Sequence, residues 1–390
     1  MTTPSPRTGH PYLTYDELRG QPAAVAEALA ADAAQRVHIA RELAGTHQLT
    51  DVTVGPGFLL PTFTGRGRIY LAGCGTAHHA AQLGAQWFRH LSQGALEVVA
   101  AQSFEFANYD VQGPRTHDAF LALSHSGTAS ATVAAARHAK EALGMYTVAL
   151  TADPTSPLAA VCDETLVTNP PTVAATYTVS HLAMLTVLAD LAQKSAEHLR
   201  AGREVALELA DDIAAFPDLT RAALAAEPDI QTIVNALPEL TQLVLAGGGP
   251  NYITALEGAL KVREAAYLPA TGWEIEEILH GPFASFDEHT AAVLIAPQGT
   301  GRDRALDVLR AFAHIGVTTI ALGSSGDEEL AALATHSISL PDSVELFSVI
   351  PATVAVQEIA YWLAIKRGTN PDLIRKEDPR YAAARQSYTR

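Results

Sequence analysis

Glu257, Lys261 and Glu264 are spaced i, i+4 and i+7, which lines them along one face of a helix. Glu277 and His280 follow, beyond Pro269 and Gly272 and just before a Gly-Pro pair. A carboxylate that carries a proton and an imidazole that titrates near neutrality are the parts needed for carbonyl chemistry on a sugar. The same helical face would equally suit a solvated salt-bridge ladder, and His280 a structural histidine before a turn.

Two further groups of polar residues stand at expected strand ends. Gly73-Cys74-Gly75-Thr76 follows an apolar run and opens an alanine-rich helix, so its amides can face an anion at the positive helix end. A dinucleotide pattern fails there. His78 takes the place of the third glycine, and Gln102 and Ser103 stand where an acid should close the next strand. Ser124-His125-Ser126-Gly127-Thr128 ends another apolar run. Its hydroxyls and amides can cradle a phosphate without a cation, or simply cap the next helix. At neighbouring strand ends the two turns would form one crevice on the carboxyl edge of a sheet.

The elements that must position these groups come in two copies. Residues 68–86, RIYLAGCGTAHHAAQLGAQ, are echoed by residues 242–260, QLVLAGGGPNYITALEGAL. Each is an apolar strand, a Leu-Ala-Gly-x-Gly turn and a helix, which predicts two similar α/β domains with parallel, doubly wound sheets. Expected strands are 95–101, 118–123 and 145–151 in the first copy, 291–296 and 317–322 in the second. Expected helices are 77–92 and 130–143, then 252–266, 302–314 and 347–366. A helix near 15–43 precedes them, and 174–237 reads as largely helical with a loop around Phe216–Asp218. The implied organisation is an N-terminal helical arm (1–45), a first domain (46–200), a helical linker (201–236), a second domain (237–370) and a C-terminal tail (371–390).

Composition narrows the partners. Lys and Arg number 26 against 42 acids, a net charge of −16, which argues against nucleic acid. Cys74 and Cys162 cannot build a disulfide framework, so a reducing cytoplasm is expected. The first residues lack the apolar core of an export signal, and no run approaches 18 consecutive apolar residues, so no membrane partner is expected. His78, His79 and His125 lack metal-ligand spacing with Cys or acids, and neither a metal nor a cofactor is expected.

Taken together, these residues resemble the SIS (sugar isomerase) fold, specifically the isomerase half of glucosamine-6-phosphate synthase. Related fructoselysine-6-phosphate deglycases and SIS-type glucosamine-6-phosphate deaminases are similar too. The likeness runs in order through TYDELRGQPAAVAEAL (14–29), LAGCGTA (71–77), LSHSGTASAT (123–132), VAATYTVSHLAMLTVLADL (173–191), ALEGALKVREAAY (255–267) and EILHGPFASFD (277–287). The fold it implies is two tandem flavodoxin-like domains with helical connections.

The activity implied is proton transfer between C1 and C2 of a sugar phosphate through an enediol or enolamine. The outcome would be isomerisation, or deamination or deglycation of an amino or glycated sugar phosphate. Glu264 matches the proton shuttle, His280 the ring-opening histidine and Lys261 a lysine of the same helix. Gly75, Thr76, Ser124, His125, Ser126, Thr128, Thr176 and Glu277 fall at substrate- or phosphate-binding positions. A homodimer is implied, with the histidine reaching the neighbouring subunit's site.

The departures are Ala77, Ala129 and Ala175 in place of hydroxyl residues, Tyr177 in place of a lysine, and Pro379 where a ring-opening lysine falls. They leave open a sugar-phosphate sensor without turnover. Threonine at position 2 and the short stretch before Tyr15 imply no glutaminase activity.

Overall fold

The computed structural model describes residues 7–45, 48–53, 59–64, 67–109, 117–168 and 172–388, with 48–53 and 59–64 described by backbone alone. A short antiparallel pair, β1 (Gln48–Thr53) and β2 (Leu59–Thr64), precedes the first parallel sheet. That sheet contains β3 (Ile69–Gly73), β4 (Val98–Gln102), β5 (Ala119–Leu123), β6 (Tyr146–Thr151) and β7 (Glu164–Val167), in the order β4-β3-β5-β6-β7. The second contains β8 (Gln242–Gly247), β9 (Ala270–Glu274), β10 (Thr290–Ala296), β11 (Thr318–Ser324) and β12 (His336–Leu340), in the order β9-β8-β10-β11-β12.

Within its own domain each sheet has the flavodoxin-like order, with a switch point between its first and third strands. The sequence echo is therefore a structural repeat. Every residue of β3, β5 and β10 is buried. That is why these strands read as continuous apolar runs and not as alternation, since parallel strands are covered on both faces.

The helix Val349–Arg367 is buried along most of its length. By length and composition the segment Glu345–Arg367 could cross a membrane, yet 94% of its apolar window is buried within the fold. It is a core helix. Ala352, Val356 and Ile359 pack with Leu243, Leu245 and Val293 of the second sheet and with Ala255, Ala259 and Val262 of the helix Pro250–Ala265. Burying each aliphatic side chain there contributes about 1.5–3 kcal/mol. The long contact fixes the face that carries Glu257, Lys261 and Glu264.

The chain divides into two compact units: Met1–Ala26, Thr172–Leu182 and Ala215–Thr389 in one, Glu27–Pro171 and Ala183–Ala214 in the other.

Several expectations are corrected. The N-terminal arm is two helices, Leu13–Ala30 and Ala33–Ala44, broken where Asp32 takes a left-handed φ of 50°. The loop expected around Phe216–Asp218 is instead the first turn of the helix Phe216–Leu224. Pro217 sits there without cost, because first-turn amides have no helical partner. The edge strands β7, β9 and β12 escape a reading based on apolar runs, since each is only partly buried and mixes polar with apolar residues.

Candidate active site

At the switch point of the first sheet, β3 and β5 are hydrogen-bonded neighbours and their following turns carry the predicted anion ligands. Gly75 opens the helix Thr76–Leu91 with φ 56°, ψ −128°, and its repeat partner Gly249 opens Pro250–Ala265 with φ 54°, ψ −127°. Only glycine adopts this backbone readily, which explains why the turn recurs in both copies.

Beyond β5, Ser124 is buried, Ser126 half-buried and Thr128 exposed. Ser126 Oγ lies 2.7 Å from Thr128 Oγ1 and accepts from Thr128 N at 3.3 Å. The following helix, Ser130–Arg137, starts at Ala129 with no side-chain cap. The hydroxyls are therefore not spent on capping it.

The turn is held from behind. The His125 carbonyl accepts from Ala152 N at 2.8 Å and from Thr151 Oγ1 at 3.0 Å. Burial lowers the His125 imidazole to about 4, so the ring is neutral at physiological pH. Gly127 has φ +65°, and a Cβ there would lie 2.1 Å from Ser156 Oγ. Gly127→Ala is expected to cost about 1–3 kcal/mol through backbone strain alone, with the clash in addition. A lowered melting temperature and weakened phosphosugar binding would show it.

The second sheet treats its equivalent turn differently. After β10, Thr300 N donates to Glu345 Oε1 at 3.0 Å, and the carboxylate fills the space where a Gly299 side chain would go. The chain supplies its own anion there. The hydroxyl turn after β5 receives no such carboxylate from a described residue.

The Glu-Lys-Glu face is not a solvated ladder. Lys261 and Glu257 have side chains 0% and 1% exposed, and Glu264 is 23% exposed. Lys261 Nζ lies 2.6 Å from Glu264 Oε2 and 3.4 Å from Glu257 Oε1. Burial alone would lower the ammonium, but the two carboxylates outweigh it and raise its pKa. Burial raises Glu264 against the opposing pull of Lys261. A carboxylate held above its ordinary value by burial and still partly exposed is suited to take and return a proton.

His280 lies apart from this triad. Its side chain is 64% exposed, and Nε2 is 2.9 Å from Glu276 Oε1. Glu276 is clamped by Arg304 at 2.5 and 2.7 Å, and these bonds hold its carboxyl at about 2. Glu274 ends β9 and turns the chain here by accepting from Glu276 N and Glu277 N at 2.7 and 3.1 Å. Glu277 itself is exposed. Sequence reasoning missed Glu276 and Arg304. The i, i+4 spacing of Glu276 and His280 was the available signal; Arg304 left none.

Thr176 is buried and donates to the Pro371 carbonyl at 2.7 Å, so its hydroxyl ties the 172–178 segment to the start of the tail. At the end of β4, Gln102 accepts from Phe104 N and Glu105 N and caps the next short helix. Among the described residues, no three of His, Cys, Asp and Glu group as a metal site would need.

Two repeats of one flavodoxin-like sheet, each opening on the same glycine turn, define the class. The SIS domain model matches residues 62–192 and 237–365, and the chain belongs to that family. Its relatives include the isomerizing glutamine–fructose-6-phosphate aminotransferase of Thermococcus kodakarensis, 28% identical over 368 residues, 94% of this chain and 57% of that protein. A Bradyrhizobium diazoefficiens protein of the same name is 30% identical over 308 residues, 78% of this chain and 50% of that one. The chain thus spans about half the length of the curated relatives it matches.

Among solved structures, the C-terminal domain of glucosamine-fructose-6-phosphate aminotransferase from Francisella tularensis superposes with a TM-score of 0.81 at 19% identity, covering 93% of this chain and 99% of that one. Tagatose-6-phosphate ketose/aldose isomerase from Escherichia coli gives 0.74 at 20%, covering 96% and 98%. Glucosamine-6-phosphate deaminase from Thermotoga maritima gives 0.70 at 19%, covering 93% and 97%. At these identities the likeness is one of fold.

Proposed function

We propose that the chain is a sugar-phosphate enzyme that moves a proton between C1 and C2 through an enediol or enolamine. The buried Glu257–Lys261–Glu264 triad carries this reading, because binding alone has no use for a carboxylate raised by burial and still partly exposed. Fructose-6-phosphate, glucosamine-6-phosphate and tagatose-6-phosphate in the names of the relatives above support the substrate class.

The turns at Gly75–Thr76 and Ser124–Thr128 bind the phosphate, and that remote binding energy orients the reacting carbons. His280 assists ring opening. Glu264 takes the proton from the carbon beside the carbonyl or imine. The electron pair forms the C=C bond, and the carbonyl oxygen or imine nitrogen gains a proton. Glu264 then returns its proton to the neighbouring carbon. The hydroxyl or amino group on the carbon first deprotonated loses its own proton to solvent, and its lone pair forms the new C=O or C=N bond, balancing the proton gained at the first oxygen or nitrogen. Reprotonation alone gives isomerisation; where an imine results, water adds and the amine leaves. The exposure of His280 and its pairing with Glu276 support a homodimer in which it serves the other copy's substrate.

A thermal-shift screen of hexose phosphates, amino-sugar phosphates and glycated amino-acid phosphates tests the substrate class. At least one of these should raise the melting temperature, and Ser124→Ala/Ser126→Ala should reduce that rise. Stabilisation with no turnover of any stabilising ligand would identify a sensor instead. No stabilisation by any phosphosugar would overturn the assignment.

A further inference from the structure

The C-terminal tail forms one wall of an open pocket of about 300 Å³ against the end of the helix Pro250–Ala265, and its charge is opposite to that of the chain. Arg263 and Tyr267 line it from the helix side, Arg375, Tyr381 and Arg385 from the tail, and no carboxylate is among the lining residues. In a chain of net charge −16, three guanidiniums around one opening need an explanation.

Acids act on them from nearby without pairing: Arg263 pulls against the burial that raises Glu264, Arg375 adds to the pull of Arg380 on Asp378, and Glu377 acts on Tyr267 alongside Arg375 and Arg385. None of the three forms an ion pair or bonds a carboxylate among the described residues. Arg375 is stacked between two rings, 4.4 Å from the Tyr267 centroid and 4.8 Å from that of Tyr381, and donates to the Tyr381 hydroxyl at 2.6 Å. Arg385 donates from Nη2 to the Ile374 carbonyl, while its buried Nη1 has no hydrogen-bond partner. Arg263 is exposed at the rim. Asp378, the tail acid that feels Arg375, is taken by Arg380 at 2.8 Å and by the Arg380 amide at 2.9 Å.

The backbone is also strained at this place. Tyr267, Ile374 and Arg375 all hold left-handed φ values, 53°, 46° and 56°. For non-glycine residues, and a β-branched isoleucine above all, such conformations cost about 1–3 kcal/mol each and collect at ligand clamps. Here they bring Tyr267 Oη to the Arg375 amide at 2.8 Å and to the Asn370 carbonyl at 3.0 Å, which sets the tail against the helix end.

We propose that this pocket is a binding site for a small phosphate ester, separate from the hydroxyl turns of the first domain. Planar guanidiniums pair their N–H groups with two oxygens of a phosphoryl group, and a buried donor lacking a partner gains one when that group arrives. The volume lies at the low end for ligand sites and leaves room for a small body beside the phosphoryl group. Because Arg263 directly precedes Glu264, an occupant would fasten the tail to the last turn of the helix that carries the proposed base.

Calorimetric titration of the full-length chain with inorganic phosphate tests the site in two variant backgrounds. Ser124→Ala/Ser126→Ala removes two hydroxyls of the turn after β5 and should retain phosphate binding. Adding Arg263→Ala/Arg385→Ala to it should weaken that binding tenfold or more. If melting shows that the arginine pair variant does not fold, Arg263→Ala alone serves, since that side chain is exposed and makes no described hydrogen bond; a loss of severalfold is then expected. Unchanged affinity in the arginine variants, or no phosphate binding once those two hydroxyls are removed, would overturn the site. Loss of phosphosugar stabilisation in the serine variant bears on the proposed function, not on this pocket, so the two readings fail separately.

Discussion

Glu264→Gln is expected to lower kcat by about 10²–10⁴-fold while phosphosugar affinity stays within a few-fold. The amide keeps the volume and can still accept from Lys261, but it cannot take a proton from carbon. Binding is expected to survive because the proposal assigns the phosphate to the turns after β3 and β5, not to Glu264. The pH profile supplies a companion result. Burial holds the Glu264 carboxyl above its ordinary value of 4.5, so the acid limb of kcat/KM should fall above that pH. Affinity and activity lost together in Glu264→Gln would make Glu264 a binding residue.

Lys261→Met is expected to destabilise the fold by about 3–5 kcal/mol, because it removes the buried cation that two carboxylates already withdrawn from water share. Glu257 is 1% exposed and would face Glu264 with no cation between them. Glu264, already raised by burial, would then titrate further above its unfolded value. A folded-state pKa above the unfolded one gives stability that is present at low pH and lost as pH rises. The defect should therefore be smallest below about pH 4.5, where the unfolded carboxyls are protonated, and grow toward neutrality. Denaturant melts at pH 5 and pH 8 measure it; an equal loss at both would assign Lys261 a packing role alone. Any residual activity should show an acid limb moved further up, since the cation that opposes the burial of Glu264 is gone.

How much of this was legible in the sequence follows from what each residue type can announce. The two strand–turn–helix units were readable because buried parallel strands are apolar throughout and the glycine turns admit little else. The Glu257–Lys261–Glu264 face was readable as a helix face, but not as a buried one. Alternating charges at helical spacing look the same in water and in a core, and only the packing of the helix Val349–Arg367 decides between them.

Glu276 was passed over for its neighbour Glu277 because the 3-10 turn, set by the Glu274 carboxylate, chooses which of two adjacent acids meets His280. The arginines of the tail looked like ordinary surface charge. Their convergence depends on left-handed residues at 374 and 375, which no glycine or asparagine marks.

The most direct test of proton transfer by Glu264 is incubation of a stabilising phosphosugar in D₂O with the wild-type chain and with Glu264→Gln, followed by mass spectrometry and NMR of the sugar. Deuterium at C1 or C2 with the wild type, and none with the variant, is the predicted result. Phosphosugar that stays protonated at both carbons with the wild type, or deuterium entering equally with Glu264→Gln, would contradict it.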